Sequence, residues 1–211
     1  GRVEVAAKSP VTGIQGMSNM GGYWGPELKY AGYDSIVIKG KASKPVYISI
    51  NNDNIEVKDA SHIWGMDTYI TQDAIQAELG DPEIEVVCIG PGGENMVQYA
   101  CVMNGLKDAA GRTGMGAVMG SKKLKAISVA GTGRVSMAEP EAMTSLTREL
   151  ARRFREAGRD KLSGFGRDLE TLNRELVAEG NGCARRVPCT EGCLTPCNAY
   201  FEDMPGVAYE R

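Results

Sequence analysis

Three segments spend glycine where an ordinary core would not, and they constrain the fold more than any other feature of the chain. The first runs Gly13-Ile14-Gln15-Gly16-Met17-Ser18-Asn19-Met20-Gly21-Gly22-Tyr23-Trp24-Gly25. The second is Gly90-Pro91-Gly92-Gly93-Glu94-Asn95, and the third extends from Ala109 through Lys122. Glycine enters φ > 0 at little steric cost and lets backbone approach a ligand closely. Successive N–H groups in such turns form nests for anions. Any one cluster reads equally well as a tight turn of a β-rich domain. Three of them, together with a cysteine cluster near residue 190, favour a large phosphate-bearing cofactor. The standard nucleotide templates fail here: Thr113 breaks GxGxxG within Gly111–Gly116, and no Gly-Lys-Ser/Thr closes a Walker loop.

Between these segments the chain is rich in β-branched residues. Gly1-Arg2-Val3 reads as a strand entered midway, and Tyr33–Gly40, Pro45–Ile50, Glu83–Ile89 and Leu124–Ala130 read as strands. Asn51-Asn52-Asp53-Asn54 turning into Ile55-Glu56-Val57 is a hairpin signal. Asp67–Leu79 carries Ile70, Ala74, Ile75 and Leu79 at helical spacing and meets a C-cap at Gly80. After Gly133 the period changes. Ser136 is placed to cap a helix whose Met143, Leu146, Leu150 and Phe154 form an apolar stripe, with Arg152, Arg153 and Arg155 interleaved with Glu149 and Glu156 on a solvated face. A second helix over Arg167–Ala178 uses Leu169, Leu172 and Leu176 and stops at Gly180. The fold class expected is α+β: a β-rich domain over residues 1–135, then the start of a helical domain over 136–211. Both chain ends read as cuts.

Cys189, Cys193 and Cys197 stand in Val187-Pro188-Cys189-Thr190-Glu191-Gly192-Cys193-Leu194-Thr195-Pro196-Cys197. Thiolates spaced evenly through a Pro- and Gly-rich turn can converge on one iron–sulfur cube, which usually takes four of them. Clustering without a secretory signal favours metal over disulfides. Cys88 and Cys101 read as small buried hydrophobes, and Cys183 as structural. The spacing and position do not fit a radical-SAM loop. A net charge of −3 with mixed signs points to neither nucleic acid nor an anionic membrane surface. No apolar run approaches the roughly 20 residues of a membrane span, and a cytoplasmic location is expected.

The chain resembles the aldehyde:ferredoxin oxidoreductase family of tungsten-pterin enzymes. The residues that carry the resemblance are Gly1-Arg2, Lys8–Gly13, Asn19–Gly25, Glu27–Asp34, Asp59–Gly65, Ile89–Asn95 and Ala109–Ala126, followed by the cysteines. The resemblance implies a tungsten (or molybdenum) bis-pterin cofactor beside a [4Fe–4S] cluster. It implies that Mg²⁺ joins the pterin phosphates through the backbone carbonyls of Asn19 and Ala109, in keeping with the preference of Mg²⁺ for oxygen ligands and phosphates. Gly21, Gly22 and Gly111 would approach the cofactor through backbone. Arg2 would lie between pterin and cluster, where a permanently charged multiple donor is suited. Cys189, Cys193 and Cys197 would be cluster ligands, the fourth lying beyond Arg211. Glu210 matches a glutamate near the metal that handles protons. His62, the single histidine, reads as structural. Two departures stand out. The cysteine spacing is x3 and x3 where the family has x2 and x3, and Asp108 replaces a phosphate-facing arginine, which leaves Arg112 or Lys107 to supply the compensating charge.

On this resemblance the reaction is R–CHO + H2O to R–COOH, with two electrons passing through pterin and cluster to ferredoxin or another electron-transfer protein. Assembly as a homo- or hetero-oligomer is expected. Two alternatives remain open. One is a catalytic subunit of a tungsten-dependent benzoyl-CoA reductase, and the other is a non-catalytic iron–sulfur electron-transfer subunit without pterin.

Overall fold

The computed structural model describes residues 2–105, 107–157, 171, 174–175, 177–180, 183–190, 193 and 198–202. The chain divides into two compact units, residues 1–135 and 136–211.

The first unit is organised by a strand that water does not reach. Leu124–Ala130 (LKAISVA) is buried along all but its last residue, as a strand covered on both faces must be. It lies at the middle of a six-stranded mixed sheet. In chain order the elements are β1 (Val3–Lys8), β2 (Gln15–Met20), α1 (Trp24–Tyr30), β3 (Val46–Asn51), β4 (Asn54–Asp59), α2 (Thr68–Leu79), β5 (Glu85–Cys88), α3 (Pro91–Glu94), β6 (Val102–Asn104), β7 (Asp108–Ala110), α4 (Met115–Ser121) and β8 (Leu124–Ala130). The sheet order is β4-β3-β8-β5-β6-β7, with β8 parallel to β3 and antiparallel to β5. β1 and β2 form a separate antiparallel pair in the register Val3↔Met20 to Lys8↔Gln15.

Period-two alternation divides the core between the two faces. Val87, Ile127 and Val129 pack with Met20, Trp24, Leu28 and Met115 on one side. Val86, Cys88 and Ala126 pack with Tyr47, Ile63 and Ile75 on the other. α1 is fixed to the first face by more than burial. Trp24 Nε1 donates to Ile127 O at 2.9 Å, and Glu27 Oε1 accepts from Gly131 N at 2.8 Å.

Several expected elements are present. Asp67 caps α2 by accepting from Tyr69 N and Ile70 N, and Gly80 ends it at φ +73°. The Asn51–Asn54 turn joins β3 to β4, with Asn52 at φ +50°, a conformation that Asn tolerates better than most residues. Others differ. Tyr33–Gly40 is not a strand: its apolar alternation serves to pack Tyr33, Ile36 and Ile38 against the first core, without a ladder. Half of the first glycine-rich segment is strand β2, and Pro91–Glu94 is a helical turn rather than an open loop.

The second unit contains α5 (Pro140–Glu156) and an antiparallel hairpin of β9 (Cys183–Val187) with β10 (Asn198–Glu202). α5 starts at Pro140 and not at Ser136, because proline suits the first helical turn, where its missing N–H costs nothing. Its stripe of Met143, Leu146, Leu150 and Phe154 is exposed. Arg152 and Arg153 bond Glu149, and Arg152 also bonds Glu156, as expected of a solvated face. The described residues of the second expected helix, 171, 174–175 and 177–178, are helical, and Gly180 follows at φ +70°. Leu169, Leu172 and Leu176 lie outside the described residues.

Candidate cofactor site

Two hairpins distant in sequence meet at one rim of the first unit, where β2 packs against β7. Arg2 stands one residue before β1, and its guanidinium donates to Asn19 twice: Nε to the side-chain oxygen, and Nη2 to the backbone carbonyl at 3.3 Å. Past the end of β2 the Gly21 carbonyl accepts from Asn104 Nδ2 at 3.1 Å, and Asn104 is fully buried. Asn104 pairs with Asp108 and Met103 with Ala109 across the β6–β7 ladder. Arg112 N donates to Ser18 Oγ at 3.4 Å, which returns the chain to β2. Arg2, Asn19, Gly21, Gly22, Ala109, Gly111 and Arg112 are therefore neighbours, although some 90 residues separate the two groups.

The glycines here do two different jobs. Gly22 sits at φ +89°, and a Cβ on it would overlap the Asn104 amide. Its side of the turn is filled by protein. A Cβ on Gly114, at φ +76°, would overlap the Gln98 carbonyl; one on Gly116 would overlap Cys101 O, and one on Gly120 would overlap Gly93 O. These glycines let backbone pack on backbone, so most of the third segment's glycine is structural. Gly111 differs. It is exposed, and a Cβ there would meet nothing within 4 Å.

The electrostatics of the rim are mixed. Arg2, Lys107 and Arg112 are exposed cations. Burial raises the Asp108 carboxyl above its usual range, while Lys107 and then Arg2 pull it back. Further in, burial pushes the half-buried Glu85 up to about 7, aided by the charges of Glu27, Glu83 and Asp108. This carboxylate was not singled out by the sequence, since it sits in an ordinary-looking strand. The residues at the rim fit a phosphate-bearing group joined by a hard cation. They offer the Asn19 carbonyl, three cations and the open space at Gly111, where such a group would approach the backbone.

The other expected site residues lie elsewhere. Cys189 and Cys193 are half-buried in the connection between β9 and β10, and Cys193 N donates to Thr190 O at 3.4 Å. Cys197 and Glu210 lie outside the described residues, and among the described residues no three metal-ligating side chains converge. Cys88 is buried, and burial raises its thiol to about 12. Cys101 is only half-buried and donates to Gly111 O at 3.3 Å. His62 is exposed, with Nε2 3.2 Å from Glu78 Oε2, and Glu78 also accepts from Tyr47 at 2.7 Å. The imidazole thus belongs to the α2 face and not to the rim.

Comparison with known proteins defines the class first. The fold is similar to that of a chain in the active-site complex of benzoyl-coenzyme A reductase bound to 1,5-dienoyl-CoA, with a TM-score of 0.71 and 43% identity over 74% of this chain and 24% of that one. That neighbour is part of a reductase. Residues 1–131 match the N-terminal domain of aldehyde ferredoxin oxidoreductase. The tungsten-containing aldehyde ferredoxin oxidoreductase of Pyrococcus furiosus is 49% identical over 79% of this chain and 27% of its own length, and that of Thermococcus kodakarensis is 48% identical over the same shares. The WOR-like subunit of an aliphatic sulfonate oxidoreductase from Pyrococcus furiosus is 40% identical over 71% of the chain and 26% of its own length. The chain belongs to the aldehyde ferredoxin oxidoreductase family. It spans about a quarter of the length of the curated relatives it matches. Among the described residues no helix is long and apolar enough to cross a membrane.

Proposed function

We propose that the first unit forms one wall of a tungsten (or molybdenum) bis-pterin site in an enzyme that oxidises aldehydes to carboxylic acids and passes electrons to ferredoxin. The observation that carries this reading is the meeting of Asn19–Gly22 with Asp108–Arg112. It joins, through Asn104 to Gly21 and Arg112 to Ser18, two segments expected to share one cofactor. Asn19 and Ala109 would offer backbone carbonyls to Mg²⁺, which suits a hard cation shared with phosphates. Arg2 and Arg112 would hold anionic oxygens by charge-assisted hydrogen bonds. Gly21 and Gly111 would let the backbone lie close to the group, while Gly22, whose missing side chain makes room for Asn104, would serve by setting the turn beside it. When bound, the cofactor would supply the oxygen-transfer and redox chemistry, and the chain supplies position and charge. Cys189, Cys193 and Cys197 would ligate a [4Fe–4S] cluster completed by a fourth thiolate outside these residues, and Glu210 would move a proton near the metal.

The 43% identity to the benzoyl-coenzyme A reductase chain supports a second reading, electron flow toward an aromatic thioester. Turnover of the full-length protein separates the two. Aldehyde-dependent reduction of a viologen dye supports the first, and reduction of an aromatic CoA thioester without aldehyde turnover supports the second.

A further inference from the structure

Among the described residues, Lys125 of β8 and Glu94 of α3 form the one ion pair with both side chains out of water, at 0% and 4% exposure. The pair sits in a small hydrogen-bond network. Lys125 Nζ donates to Glu94 Oε1 and, at 2.8 Å, to Met66 O, while Gly65 N lies 3.0 and 2.8 Å from the two Glu94 oxygens. Stability alone is a weak reason for such a pair, because well-packed apolar residues of similar volume often serve as well or better. The rest of β8 carries no charge.

What the pair holds in place is specific. Glu94 ends α3, whose Gly93 faces α4 without intervening side chains: a Cβ on Gly93 would stand 3.0 Å from Gly116 O, and one on Gly120 would overlap Gly93 O. The segment leaving α3 returns to α4 as well, since Gly116 N donates to Ala100 O at 2.9 Å. α4 starts at Met115, directly after Gly111-Arg112-Thr113-Gly114. Backbone-on-backbone packing leaves no flexible side chain to absorb a shift, and close-packed interiors transmit strain. A displacement of Glu94 would therefore reach residues 109–116.

We infer that Lys125 and Glu94 are positioning residues: their buried pair locks α3, and through α4 fixes the geometry of the 109–116 segment at the rim. The link to cofactor binding rests on the reading given under Proposed function; the mechanical link does not.

The test uses the full-length protein carrying Lys125→Met and Glu94→Gln together, a pair that leaves no stranded charge. Amide hydrogen exchange is read at Arg112 and Gly116, with β3 and β5 as internal reference, and tungsten retained after dialysis is measured in parallel. The expected result is at least tenfold faster exchange at Arg112 and Gly116, unchanged exchange in the reference strands, and a severalfold loss of tungsten. Unchanged exchange at Arg112 and Gly116 overturns the inference. So does an equal rise throughout the sheet, which makes the pair a general core stabiliser. Wild-type protein without tungsten or pterin would instead overturn the cofactor reading, and the exchange result would still decide the mechanical one.

Discussion

Asn104 reaches from β6 to the Gly21 carbonyl at 3.1 Å, and its amide fills the space that a side chain on Gly22 would need. One buried amide therefore sets both the turn after β2 and the identity of the next residue. Asn104→Ala leaves the Gly21 carbonyl unpaired and should cost about 1–3 kcal/mol. Gly22→Ala adds strain at φ +89° to the overlap and should cost roughly 3 kcal/mol or more. The double variant relieves the overlap, so its cost should fall short of the sum. Denaturant midpoints of the four proteins check this, and additive costs would contradict it.

Glycine substitutions should separate packing from binding. Gly120→Ala drives a methyl into the Gly93 carbonyl and should destabilise by ~3 kcal/mol or prevent folding. Gly111→Ala meets nothing and should leave stability within about 0.5 kcal/mol, yet lower the tungsten content. Thermal melts and metal analysis of full-length protein read the two effects independently.

The sequence made β8, the β3–β4 turn and the C-terminal end of α2 legible because each depends on local signals: an apolar run, an Asn-rich turn and a closing Gly. It misled where tertiary packing decides. Tyr33–Gly40 alternates like a strand, but its apolar residues only face the core. Pro91–Glu94 has loop composition, but its glycines seat α3 against α4. Lys125 gives no local sign that its ammonium is buried on Glu94, since both partners must be known to see the pair. The rim residues came from matched motifs, whereas spacing alone left turn and cofactor loop equally open. β9 and β10 escaped notice because the ten residues between them exceed an ordinary hairpin turn.

Stability should fall as pH rises from about 4.5 to 7. Glu85 keeps its proton up to about 7 in the folded protein, chiefly because burial disfavours the charge. Over that window the folded state binds more protons than the unfolded one, so raising the pH favours unfolding, and the effect levels off above 7. Allowing for partial exposure, the loss should be about 1–2 kcal/mol. Glu85→Gln should flatten this part of the profile, as melts at pH 5 and pH 8 can establish; an unchanged slope would contradict the assignment.

Arg2 is exposed, so Arg2→Gln should leave the melt within ~0.5 kcal/mol of wild type. Loss of its charge-assisted contacts should still lower cofactor retention by about tenfold. Equal tungsten content in both proteins would remove Arg2 from the site.

Cys189→Ser and Cys193→Ser should each abolish or strongly alter the reduced-cluster EPR signal of the full-length protein. Cys88→Ser should leave it intact, because that thiol is buried and protonated. A signal that survives both of the first substitutions would dissociate the β9–β10 connection from iron.

The most direct test of the whole account is the composition of the full-length protein purified without oxygen. Binding of the proposed cofactors at this rim and at the cysteine connection predicts tungsten or molybdenum with pterin in a one-to-two ratio, alongside iron and sulfide. Iron and sulfide without pterin would contradict it and leave only an electron-transfer subunit.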